Sequence, residues 1–205
     1  MSFGFKKRVP KIEAAIEYAR QHHVLVIAAA GNSGGREEVM FPARYRDTLC
    51  VHAVDGAGNS YHGNATQREG SLNFATLGVA VQCQRRAEEC STSSTTVIRS
   101  GTSSAAAVAA SIAAMLIQIF EHSELLELRR GKKQRYLQQL RSISGMELVF
   151  KGISVNRENR YNVIEPWRIL PREMRETSLR ETVAWKIVEL LHDEVDESEE
   201  EEIDG

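Results

Sequence analysis

The sequence predicts an α/β fold built on a parallel sheet, and three observations carry that expectation. Val24-Leu25-Val26-Ile27-Ala28-Ala29-Ala30 is a continuous apolar run of strand length, the pattern of a strand buried on both faces. A helix-spaced segment precedes it, so the order strand, helix, strand implies a parallel pair joined by a right-handed crossover. Residues 104–120 then form the most apolar helix of the chain: only Ser104, Ser111 and Gln118 are polar, spaced seven apart on one narrow strip. Seven alanines in that span let strands approach it closely, and its length of about 26 Å crosses a small domain.

The elements follow in order. Met1 to Phe5 reads as the end of a strand. Pro10 starts a helix whose apolar positions Ile12, Ala15, Ile16 and Ala19 fall on one face. The apolar strand ends in Gly31-Asn32-Ser33-Gly34-Gly35, at the carboxyl edge where parallel sheets place their sites. Phe41-Pro42-Ala43 breaks the chain before a strand from Thr48 to Val54, and Asp55-Gly56 turns it. Leu72 to Val81 holds one or two short strands. A loop from Gln82 to Thr95 leads to Thr96, Val97 and Ile98, a strand that delivers the chain to Gly101.

Beyond the alanine helix, a helix from Arg129 to about Ser144 carries Tyr136, Leu137, Leu140 and Ile143 on one side. Residues 146–176 read as irregular cover, and Thr177 or Ser178 caps a last helix through about His192. The predicted units are therefore residues 1–122 as the core, 123–192 as a helical and irregular extension, and 193–205 as an acidic tail without fixed structure.

With 205 residues, 26% charged and 42% hydrophobic, the chain is long enough to bury one sizeable core. The net charge of −2 hides an asymmetry. Residues 193–205 hold nine acidic groups, so the rest carries 26 basic against 28 − 9 = 19 acidic residues, or +7. The cluster Arg129-Arg130-Gly131-Lys132-Lys133 lacks aromatic interleaving and reads as a solvated face, not a nucleic-acid site. Cys50, Cys83 and Cys90 are too few and too scattered for a disulfide framework or metal cluster. Three thiols fit a reducing, intracellular compartment, although Cys83 and Cys90 would close a short loop in an oxidising one. No signal-peptide pattern opens the chain. The alanine-rich helix falls short of the roughly 20 residues of a membrane span, and no cofactor is called for.

Chemistry is expected where Gly101 turns the chain into that helix, leaving Ser103 near the positive end of its dipole. Ser100-Gly101-Thr102-Ser103-Ser104-Ala105 resembles the G-T-S-x-A segment of the subtilisin-like serine proteases. The family's following T-P-H-V-A-G pattern is replaced here by small or apolar residues. Further segments match in order: Met1 to Gly4 resembles the S-x-G substrate strand, Ala28 to Asn32 resembles A-A-G-N, and Phe41-Pro42-Ala43 resembles Y-P-A/G. Val51 to Asp55 is similar to V-x-A-V-D, and Phe74 to Gly78 to F-S-A-P-G with Leu77 in the proline's place.

The resemblance covers about residues 1–122. It implies a subtilisin-like parallel-sheet α/β fold, incomplete because its N-terminal strands are absent, with a helical extension at the C-terminal end. It also implies a serine endopeptidase acting on peptide or protein substrates, with Ser103 as nucleophile and Asn32 as oxyanion donor. Ser2, Phe3 and Gly4 would pair with substrate backbone, and Ala29, Ala30 and Gly31 would line the pocket for the residue before the cut.

The family's D-S/T-G aspartate and H-G-T histidine precede the substrate strand and have no counterpart in this sequence. His62 lies after Asn32, in the wrong order for the histidine, and Asp55 sits at a strand end assigned to another role. The expectation is thus the C-terminal half of a peptidase domain, a truncated product or one piece of a longer protein, inactive without an N-terminal catalytic half. The rival readings are a protease-derived interaction protein and, more weakly, an anion site at residues 101–104.

Overall fold

The computed structural model describes residues 1–84, 96–125, 130–157, 160–170 and 176–203. Helix α1 (Pro10–Gln21) opens on its proline, as the sequence reading requires, and buries Ile16. The parallel strands β1 (Ile27–Ala29), β2 (Leu49–Val54) and β3 (Phe74–Leu77) follow. Ala28 pairs with Cys50, and Val51 with Phe74. Strands β4 (Val81–Gln84) and β5 (Thr96–Arg99) form a separate antiparallel ribbon. The strand delivering the chain to Gly101 therefore lies outside the main sheet.

Helix α2 (Thr102–Glu121) crosses beneath β1, β2 and β3. At 20 residues it is long and apolar enough by length and composition to span a membrane, which corrects the shorter length read from sequence. Its Ala105, Ala109, Ile112, Leu116 and Phe120 are nonetheless buried in the core. Fully burying residues such as Leu116 and Phe120 contributes roughly 1.5–3 kcal/mol each. The alternation of β2 divides the interior, with Leu49, Val51 and Ala53 in the α2-facing cluster. On the other face Ala28, Ala30, Val39, Ala43 and Ala65 form one cluster, and Val54, Ala75, Tyr161 and Val163 another.

The C-terminal region departs from the sequence reading in three places. The single helix expected to Ser144 is two, α3 (Arg130–Leu140) and α4 (Ile143–Gly152). They divide where the Ser142 hydroxyl accepts from Gly145 N–H at 3.0 Å and caps α4. Residues 154–164 are not irregular cover: β6 (Ser154–Arg157) and β7 (Tyr161–Ile164) form a hairpin that completes a five-stranded sheet in the order β1-β2-β3-β7-β6. Strand β7 runs parallel to β3 and β6 antiparallel to β7. Finally α5 (Glu176–Ile203) continues through the acidic run past His192, consistent with the good helix propensity of glutamate. Cys90 and Arg129 lie outside the described residues. Cys50 and Cys83 are free thiols.

Strand β1 is the edge of the sheet. Met1 extends it without forming a regular strand: its nitrogen donates to Ile27 O at 2.5 Å and its carbonyl accepts from Ala29 N–H at 3.0 Å. The expected burial of α2 on nearly all sides is also corrected. Ala107, Ala110 and Ala114 are exposed together with Ser111 and Gln118, because no described element covers that side of the helix. An apolar hollow of about 410 Å³ remains there, between Met1, Leu25 and Ile27 on the sheet side and Ala110, Ala114 and Ile117 on the helix.

Candidate active site

Gly101 makes the turn into α2 with φ 150° and ψ 164°, and its N–H donates to Gly78 O at 2.7 Å. A Cβ on Gly101 would sit 3.2 Å from both Asn32 Nδ2 and Oδ1, so the glycine is needed for its backbone angle and for the asparagine lying against it. Gly78 is as constrained, since a Cβ there would meet Ala53, Ala105 and the Gly101 carbonyl within 3 Å. The strand ends and the start of α2 are therefore locked together by backbone contact.

Asn32 follows β1 and reaches across to the helix start. Its Oδ1 accepts from Thr102 N–H at 2.8 Å and from the Thr102 hydroxyl at 3.1 Å, while Thr102 Oγ1 accepts from Gly31 N–H at 3.2 Å. Thr102 is fully buried. Fixing Oδ1 in this way orients the amide, leaving Nδ2 as an unspent donor among the described residues. The next backbone amides are accounted for: Ser104 and Ala105 N–H both donate to Gly101 O. Ser103 N–H has no acceptor among the described residues, so two donors, one side-chain and one backbone, flank Ser103 at the positive end of α2. Thr102 is the residue that sequence reasoning missed; its position between Gly101 and Ser103 is visible, but its partner is not.

The predicted substrate-contact residues assemble around the same turn. The Ser2 hydroxyl donates to Ser103 O at 3.4 Å. Phe3 is half exposed and packs edge-to-face on Phe5 at 5.8 Å. Gly4 is held against Met40, whose Cβ would lie 2.7 Å from a Cβ on that glycine. Met40 also lies 3.4 Å from the Cβ position of Gly31, so it sits between the two backbone segments, a contact no local pattern announces. Ala29 and Ala30 are buried and Gly31 is partly open.

No hydrogen bond from a histidine or carboxylate reaches the Ser103 hydroxyl among the described residues. Asp55 closes its own turn, accepting from the Ala57 and Asn59 amides at 2.9 and 2.8 Å. His62 packs on Tyr61 at 4.6 Å. His52 is fully buried on β2, its ring tilted against Tyr161 at 4.9 Å, with its Nδ1 lacking a partner among the described residues. Burial pushes its pKa down to about 4, and burial pushes neighbouring Cys50, 3.9 Å from its Nε2, up to about 12. At neutral pH both are uncharged and embedded in the sheet.

Comparison with known proteins bears on the family and the fold. The profile of the Subtilase family matches residues 1–139. Alkaline elastase YaB of Bacillus sp. (strain YaB) is 38% identical over 82 residues, which are 40% of this chain and 21% of that protein. M-protease of Shouchella clausii (strain KSM-K16) is 32% identical over 118 residues, 58% of this chain and 29% of that protein. Among solved structures, the PatG macrocyclase in complex with peptide superposes with a TM-score of 0.57 at 18% identity, covering 93% of this chain and 50% of that one. The chain thus spans under a third of these two curated relatives and half of the structural neighbour.

Proposed function

The chain belongs to the subtilase family of serine proteases, and from that premise we propose that it carries the nucleophile and oxyanion hole of a serine endopeptidase. Ser103 Oγ attacks the peptide carbonyl, the C–N bond breaks as the amine leaves with a proton, and water hydrolyses the resulting acyl ester, releasing the acid and restoring the hydroxyl. The carbonyl oxygen, as it gains charge, is received by Ser103 N–H and Asn32 Nδ2. The asparagine's part is the known one in subtilisin and is carried over by resemblance. The observation that supports the reading is local: Thr102 holds Asn32 Oδ1, so the amide can present only its donor side. Ser2, Phe3 and Gly4 pair with substrate backbone, and Ala29, Ala30 and Gly31 line the pocket for the residue before the cut.

The base that takes the Ser103 proton comes from a polypeptide segment outside this chain. General-base help is worth roughly 10² to 10⁴ in rate and triad members act as a unit, so the chain alone is inactive at an enzyme-like rate. Labelling with a fluorophosphonate probe tests this. The chain alone is expected to label weakly; added to a family N-terminal segment bearing the aspartate and histidine, it labels at Ser103 and fails to do so as Ser103→Ala. Strong labelling of the lone chain overturns the missing base. The absence of histidine contact at Ser103 also fits a protease-derived interaction protein, the reading favoured if the completed protein does not label.

A further inference from the structure

The two segments proposed to contact substrate, residues 2–4 and 29–31, both end in glycine, and a single side chain fills the space those glycines leave. A Cβ on Gly4 would meet Met40 Cβ at 2.7 Å and Sδ at 2.8 Å, and a Cβ on Gly31 would meet Met40 Cγ at 3.4 Å and Sδ at 3.7 Å. The thioether therefore lies over both glycines at once. Non-bonded carbon atoms are in contact at about 3.5–4.0 Å, so even a methyl group on Gly31 would touch it.

The backbone fixes Met40 in that position. Its N–H donates to Ala30 O at 3.0 Å, and its carbonyl accepts from Arg44 N–H at 3.1 Å. The next residue, Phe41, is fully buried and exchanges both backbone hydrogen bonds with Phe5, at 2.8 and 3.0 Å. Residues 40 and 41 tie the end of β1 to the segment after Gly4, and these ties set the direction of the Met40 Cβ. Methionine is a flexible side chain. Rotation moves its sulfur, however, and leaves its Cβ against Gly4. Met40 is only partly buried, so its side chain is accessible to a ligand.

We infer that Met40 is the floor of the pocket for the residue before the cut and restricts that residue to glycine or alanine. A Cβ alone fits above the thioether; a leucine or phenylalanine side chain requires the volume that Met40 Cγ and Sδ occupy. The inference rests on the proposed roles of residues 2–4 and 29–31 and adds the class of substrate they accept.

Peptide binding to the full chain tests this without any catalytic step. Acetyl-Ala-Ala-Ala presents alanine as the residue before the cut, acetyl-Ala-Ala-Phe presents phenylalanine, and each is titrated by calorimetry. The alanine peptide is expected to bind at least about tenfold more tightly, and Met40→Ala should tighten the phenylalanine peptide at least about tenfold, the scale on which an apolar pocket discriminates by size. With the methionine methyls labelled with carbon-13, the signal lost in Met40→Leu should shift saturably as acetyl-Ala-Ala-Ala is added to the unaltered chain. The comparison of the two peptides on that chain stands even if Met40→Ala does not fold. Equal affinity for the two peptides, or an unmoved Met40 signal, overturns the inference. Fluorophosphonate labelling of Ser103 in the completed protein is a separate readout. Labelling alongside equal affinities overturns the Met40 assignment alone, and a preference governed by Met40 without labelling overturns the nucleophile reading alone.

Discussion

The smallest decisive feature is the contact between Gly101 and Asn32. A side chain at position 101 must both adopt φ near +150° and displace an amide 3.2 Å away. Gly101→Ala is therefore expected to destabilise the chain by about 1–3 kcal/mol, read as a lower urea midpoint. It should also abolish probe labelling in the completed protein by turning Asn32 aside. Asn32→Ala should lower turnover with little change in KM, since its donor acts on charge that appears only in the transition state. His52 sets a pH dependence. Its folded pKa of about 4 lies below the ordinary 6.5, so the unfolded chain binds the extra proton between those values. Stability from this group is complete above about pH 6.5 and is lost as pH falls toward 4. Unfolding free energies from urea titrations at pH 7.5 and 4.5 should differ by about 2–3 kcal/mol from His52 alone, and His52→Leu should remove that part of the slope.

Helix ends and faces carry the next level. Ser142 is the cap that separates α3 from α4. Ser142→Ala should cost about 1 kcal/mol and lower Tm by about 2–4 °C. Removing residues 195–205 is expected to move Tm by less than about 2 °C, since a run of like charges has little apolar area to bury; a fall of several degrees would show that the acidic end packs. The alanine helix was legible as an element because its composition and spacing are local. Its exposed side was not. Ala107, Ala110 and Ala114 look identical in sequence to buried Ala105, Ala109 and Ala113, and only the neighbours of each differ.

In the whole molecule, Ser103 stands at one end of that exposed stripe, sharing a helix face with Ala107, Ala110 and Ala114. The edge of β1, covered by Met1, runs beside it. Exposed apolar helix surface favours association. Sedimentation of the purified chain should show concentration-dependent self-association, reduced by Ala110→Glu; a monomer with a sharply cooperative melt would count against it.

The sequence by itself determined the helix at Pro10, the buried strands, the glycine turn into α2, and the ordered motifs that place Ser103 and Asn32 near one another. Each of these depends on local propensity, on burial periodicity, or on motif order. Tertiary structure alone decided which atom of Asn32 faces outward, because Thr102 reaches it across 70 positions. It also drew Tyr161–Ile164 beside β3 and left one side of α2 bare. A strand's partner and a helix's cover are pairings between distant segments, and no local pattern encodes which distant segment arrives.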